Sequence, residues 1–175
     1  MTESATPTPD RFRAVMGRFV TGITIMTAVA ADGQPHGMTA NAVTSVSLAP
    51  PLVLVCVDRS AIMADVMEEA QGFALSFLRA EQQERSQWFA DSDRPVGTAQ
   101  FDGVPTLERP TIAPVLADAL AWVDCRTWAS YDGGDHVIVV GEVVDLGETD
   151  DPDATPLLYD RGGYAHVRDV AELPD

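Results

Sequence analysis

Two long β-prone runs, LADALAWVDCRTWASY (116–131) and HVIVVGEVVDL (136–146), are separated only by Asp132-Gly133-Gly134-Asp135. Four residues cannot carry the crossover that parallel neighbours need, whereas a short glycine-containing link is an ordinary hairpin connection. The pair therefore predicts an antiparallel hairpin, and it sets the reading of the rest of the chain. GITIMTAVA (22–30), rich in β-branched residues, ends at Asp32-Gly33, a second hairpin signal before a strand expected over about 35–46. PLVLVCV (51–57) reads as another strand, and Gly72 opens a further one at FALSFL. Six or more strands, short turns and no βαβ rhythm point to a mainly β antiparallel barrel or sandwich rather than a doubly wound sheet.

Helices are few. Thr8 and Pro9 read as N-cap and first helical position, and Phe12, Val15, Met16 and Phe19 fall at i, i+3, i+4 and i+7, one helical face. Ser60 is expected to cap a short helix carrying Ile62, Met63, Val66 and Met67, and a second helix is expected over 80–90. Residues 91–114, rich in Pro and Gly, read as a long ordered loop, and 148–156 as an acidic one. A chain of 175 residues suits one buried core. The expected organisation is a disordered leader over 1–8, a single domain over 9–168 and a tail over 169–175.

A formal charge of −16 argues against a nucleic-acid partner, whose phosphates would be repelled. All 11 basic residues are Arg, so neither a lysine Schiff base nor a lysine-dependent phosphate loop is available. No window approaches the ~18 uncharged apolar residues of a membrane span, and MTESATPTPD lacks the regions of a signal peptide. A cytoplasmic protein without membrane contact is the expectation. Cys56 and Cys125 have neither CxxC nor metal-ligand spacing and read as two buried free thiols, with no metal site expected. No GxGxxG, GxxxxGK[ST], HExxH or GxSxG motif is present, and His36, His136 and His166 stand in separate segments.

The run GMTANAVTSVSL (37–48) needs a separate account, because hydroxyl and amide side chains occupy it where a core strand would carry Val and Ile. In one extended strand Thr39, Asn41, Val43 and Ser45 would share a face, with Ala40, Ala42, Thr44 and Val46 on the other. Buried without partners, such polar groups cost about 1–3 kcal/mol each. A flat heteroaromatic ring rimmed by N and O atoms would satisfy them, with Arg59 and Ser60 placed to take a phosphate tail. An edge strand meeting water or a sister subunit is the other reading, and the residues alone leave both open.

GMTANAVTSVSLAPPLVLVCVDRS, preceded by FRAVMGRFVTGITIMTA and followed by FLRAEQQERSQWFA, FDGVPTL, GDHVIVVGEV and PLLYDRGGY, resembles the flavin reductase domain family. These are small NAD(P)H:flavin oxidoreductases that serve two-component flavin monooxygenases. The resemblance runs over residues 11–166. It implies an FMN-binding split β-barrel, Greek-key-like and antiparallel, usually a homodimer. It also implies reduction of FMN or FAD by hydride from NADH or NADPH, with the reduced flavin supplied to a separate flavin-dependent monooxygenase.

Carried over position by position, the resemblance implies flavin contacts at Met38, Thr39, Ala40, Asn41, Ala42, Thr44 and Ser45. It adds Cys56, Val57, Asp58 and Ser60, beside Arg59, and then Arg79, Ala80 and Gln82. His136, the catalytic candidate, and Gly162, Gly163 and Tyr164 match positions beside the nicotinamide nucleotide. Ser76 is a departure, standing where the family commonly has Asn. A non-catalytic flavin-binding protein or a structural dimerisation domain on the same scaffold stays open as an alternative.

Overall fold

In the computed structural model, which describes residues 6–108 and 111–167, both glycine-containing turns fall where the sequence puts them. The chain runs through α1 (Pro9–Met16), β1 (Thr21–Gly22), β2 (Thr24–Val29), β3 (Pro35–Ala40), β4 (Val43–Leu48) and β5 (Pro51–Asp58). Then come α2 (Ile62–Glu69), β6 (Gly72–Phe77), α3 (Gln83–Ala90), β7 (Ala121–Gly133), β8 (His136–Glu148), β9 (Leu157–Asp160) and β10 (Gly163–His166). Short 3₁₀ turns occupy Ala80–Gln82 and Gly97–Phe101. The expected tail over 169–175 and the first five residues of the expected leader lie outside the described residues.

Seven strands form one sheet in the order β3-β2-β6-β7-β8-β5-β4, and β1, β9 and β10 form a smaller one. Every pairing is antiparallel. The expected strand over 35–46 is therefore two strands, and they lie at opposite edges of the seven-stranded sheet. Only residues 41 and 42 join them. Such a link spans about 10 Å at most, so the sheet must curl until its two edges nearly meet. No ladder joins β3 to β4 among the described residues. The result is an antiparallel barrel left open along one seam, which the chain crosses at residues 41 and 42; the hydrogen bond from the Cys56 backbone N–H to the Ala42 carbonyl, 3.0 Å, extends the β4–β5 ladder to the lip of that seam.

Inside the curl lie Met26, Ala28, Val55, Val57, Phe73, Leu75, Cys125 and Val139, with Met63 and Met67 of α2 packed among them. Gly141 makes room for this core, since a Cβ there would sit 2.6 Å from the Phe73 ring. Strand β2 is buried on both faces, because Ile25, with Ile23 just before the strand, packs outward against Leu78, Phe89, Leu116 and Leu157. Ser60 does not cap α2. Its hydroxyl and backbone N–H both donate to the Asp58 carboxylate, a local bond that competes with capping, and Ala61 occupies the cap position instead.

The long loop after α3 covers the outer edge of β3. Gln100, fully buried, accepts from the Gly37 N–H at 2.8 Å and donates to the Pro35 carbonyl at 3.0 Å, bonding the strand as a neighbouring strand would. Arg94 donates to the Gly37 carbonyl. The edge is thereby closed to pairing with another chain. No helix among the described residues is long and apolar enough to cross a membrane.

Candidate functional site

The open seam is a cleft of about 600 Å³. Asn41, Ala42, Val43 and Thr44 form one side, Leu54 and Cys56 lie along it, and Thr21, Tyr159 and Gly162 bound it from the smaller sheet. The polar run of the sequence is thus largely exposed along the cleft rather than buried in a strand, and the desolvation argument for it does not hold. Its placement on a concave surface does. The Asn41 amide donates to Thr21 Oγ1 at 3.2 Å, which leaves its carbonyl oxygen as an acceptor.

The opposite wall is α1. Thr8 caps it, accepting from the Arg11 N–H at 3.3 Å, and Pro9 begins it, yet the helix buries none of its residues. Phe12, Met16 and Phe19 instead line the cleft with large exposed rings and a thioether. An apolar stripe left uncovered in this way is an unmet demand for contact area. Just past the helix, the Gly17 carbonyl accepts from the Arg161 N–H at 2.8 Å. Arg161 and Gly162, at φ +49° and +82°, form the tight turn from β9 to β10. Two successive left-handed residues suit the twist of a hairpin.

A smaller chamber of about 230 Å³ adjoins the cleft, the two sharing Asn41 and Tyr159. Ile23, Thr39, Ser86, Ala90 and Tyr164 complete it. Thr39 Oγ1 donates to the Ser86 carbonyl at 2.6 Å, and the Tyr164 hydroxyl donates to Ser86 Oγ at 3.0 Å. The Tyr159 and Tyr164 rings meet edge to face, centroids 6.3 Å apart.

Alternation along β5 puts Leu54, Cys56 and Asp58 on the cleft face and Val55 and Val57 in the core. Asp58 is paired with His136 across the ladder, so His136 lies on that same face, about 7 Å beyond Cys56. Its Nδ1 is 2.8 Å from Asp135 Oδ1. The Ser60 N–H and hydroxyl, with His136 nearby, hold the Asp58 carboxyl below its ordinary range, whereas burial pushes the Cys56 thiol up. Arg59 is largely committed, donating to the Gly134 carbonyl at 2.9 Å and to Asp132 Oδ1 at 2.6 Å.

The remaining positions lie elsewhere. Met38 and Ala40 pack toward the barrel interior with Val57. Ser45 is exposed on β4, and Gly163 opens β10. Arg79 pairs with Glu81 and Asp151 at 2.9 and 2.5 Å, while Gln82 accepts from the Arg79 N–H and donates to the Asp118 carbonyl. Arg79 and Ala80 hold the acidic loop outside the cleft lining, the Ala80 N–H donating to the Thr155 carbonyl. Phe12, Arg13, Met16, Phe19, Thr21, Leu54 and Tyr159 line the cleft without being singled out as site residues in the sequence. The stripe on α1, amphipathic with nothing adjacent to cover it, was the available signal. Among the described residues no group of His, Cys, Asp and Glu is arranged to hold a metal ion.

Comparison with known proteins gives this geometry a family. The model of the flavin reductase like domain matches residues 16–168. The chain is 44% identical over 135 residues to the NADH-dependent FAD reductase of Streptomyces globisporus, covering 77% of this chain and 73% of that protein. It is 35% identical to the flavin-dependent monooxygenase reductase subunit HsaB of Rhodococcus jostii (strain RHA1), covering 95% of this chain and 82% of the relative. The solved structure of Streptomyces globisporus C-1027 NADH:FAD oxidoreductase SgcE6 in complex with NAD and FAD fragments superposes with a TM-score of 0.84 at 35% identity. It covers 97% of this chain and 100% of that one.

Proposed function

This chain belongs to the flavin reductase like domain family, and on that premise we propose that it is an oxidoreductase that moves hydride from NADH to FAD or FMN and delivers the reduced flavin to a separate flavin-dependent monooxygenase. The observation that carries the reading is the seam cleft. Its ~600 Å³ is the size of a small-molecule site, apolar on both walls and polar along Asn41, Thr44 and Thr21. A flat ring with a polar edge fits that distribution. When bound, flavin supplies the electron acceptor and the nicotinamide nucleotide the hydride.

The chain's part is to bind, orient and exclude water. Leu54 and Cys56 form an apolar bed, and Phe12, Met16 and Phe19 shield the opposite side. The Asn41 carbonyl oxygen and the Thr44 hydroxyl offer hydrogen bonds to the ring edge. The Ser60 donors being taken by Asp58, the remaining N–H groups of Arg59 take the proximal phosphate, and His136 positions the nicotinamide nucleotide from the end of β8. NADH is favoured over NADPH because Arg13 is the one cation among the described residues lining the cleft, while Arg161 is held by Asp160 at 2.9 Å. Asp58, Asp132 and Asp135 would also repel a 2′-phosphate near His136. We place a second copy of the chain against the exposed apolar residues of β4, β7 and β8, among them Leu48, Trp128 and Leu146. A single domain and a cytoplasmic setting complete the reading.

The test is NADH oxidation followed at 340 nm with FMN, FAD and riboflavin supplied in turn. Turnover with FAD or FMN is expected. Flavin binding without NADH consumption would make the protein a flavin carrier, and no flavin binding at all would leave only a dimerisation role. His136→Ala is expected to raise the KM for NADH about tenfold, equivalent to about 1.4 kcal/mol, with the flavin Kd unchanged. An unaltered KM removes His136 from the nicotinamide site.

A further inference from the structure

We propose that Ser86 is a positioning residue for hydride transfer, acting through Tyr164 and Tyr159 on the wall shared by the cleft and the small chamber. The inference rests on the flavin reductase reading above and extends it to a residue on α3 that no motif marks. Ser86 is 1% exposed and sits mid-helix, where a serine hydroxyl usually bonds back to its own helix. Here it instead receives the Tyr164 hydroxyl from β10, and its carbonyl receives the Thr39 hydroxyl from β3. Three elements distant in sequence are pinned at one residue.

What the pin controls follows from the neighbours. Tyr164 is held by the Ser86 bond at its hydroxyl and by the edge-to-face contact with Tyr159 at its ring. Tyr159 in turn forms part of both the 600 Å³ cleft and the 230 Å³ chamber. The chamber is smaller than the ~300 Å³ at which whole small-molecule sites begin, so it serves as an annex for one ring beside the larger slot. Without the Ser86 hydroxyl, the buried end of Tyr164 has no partner, its ring is free to turn into the annex, and Tyr159 loses its edge contact. The α1, Leu54 and Cys56 walls of the large cleft lie outside this chain of contacts, and only its Tyr159 boundary is reached by that change. The consequence therefore falls on the second ring to enter, the nicotinamide, rather than on flavin.

Ser86→Ala and Tyr164→Phe, separately and together in the full chain, test this with FAD and NADH. Each single variant is expected to raise the KM for NADH about five- to tenfold while the flavin Kd, read by fluorescence quenching, stays within about twofold. The double variant is expected to be no worse than the poorer single one, because both cut the same link. A lowered Tm with unchanged KM, a flavin Kd that rises together with KM, or additive effects in the double variant would each overturn the assignment, making Ser86 a packing residue. A wild-type protein that fails to oxidise NADH would sink the parent reading as well. Active wild type with normal kinetics in Ser86→Ala sinks only this inference.

Discussion

Replacing Ala42 with Trp is expected to weaken flavin binding at least about a hundredfold, some 2.7 kcal/mol, while leaving the melting temperature almost unchanged. Ala42 is one of the two residues that carry the chain across the seam, and its methyl group faces the cleft. Its structural duty is its carbonyl, which accepts from the Cys56 N–H, and a substitution keeps that group. Arg161 is the one non-glycine residue with positive φ among those described, so Ala42 has a backbone that any side chain tolerates. An indole at this point has no core to enter and fills the slot between Thr44 and α1. Fluorescence titration with FAD and FMN, together with a thermal melt, checks the prediction. Undiminished binding by a folded Ala42→Trp protein would place flavin somewhere other than the seam.

Ala42 also marks the limit of what the sequence made legible. The hairpins at Asp32-Gly33 and at Asp132-Gly133-Gly134-Asp135 follow from turn chemistry alone, and the structure has both. Helix α1 follows from Thr8, Pro9 and its spacing. The break at residues 41–42 could not be read, because alternation assigns faces within a strand but says nothing about which strand lies beside it. Reading 35–46 as one strand hid the closure of the sheet, and with it the cleft. The cap expected at Ser60 is absent for a different reason: capping and the Asp58 turn compete for the same hydroxyl, and local sequence does not rank them. Cleft positions such as Asn41 and Thr44 were reached through polar residues out of place and the family resemblance. Phe12, Ser86 and Tyr159 come from elements far apart in the chain, and only the curl of the sheet brings them to one place.

Acid is expected to destabilise the protein through His36 between about pH 6.5 and pH 4. His36 is 7% exposed on β3, and its Nε2 lies 3.4 Å from Arg94 Nη2, so that nitrogen acts as an acceptor. Burial, and then the Arg94 charge, lower its pKa from 6.5 to about 4. A group whose folded pKa lies below its unfolded value takes up its proton first in the unfolded chain. The stabilisation is therefore complete above about pH 6.5 and declines as pH falls toward 4, by about 3 kcal/mol in all. His36→Leu has no such proton to take up. Denaturant unfolding at pH 7 and pH 4.5 is expected to separate wild type from His36→Leu at the lower pH by a loss that the variant lacks; equal pH slopes would remove His36 as the cause. The structural consequence reaches past β3 itself. Arg94 holds the Gly37 carbonyl on the strand whose far end delivers Asn41 to the cleft, and a protonated His36 would repel that guanidinium. The same proton that weakens the fold thus acts first on the strap along β3, at the edge of the sheet from which the flavin cleft is built.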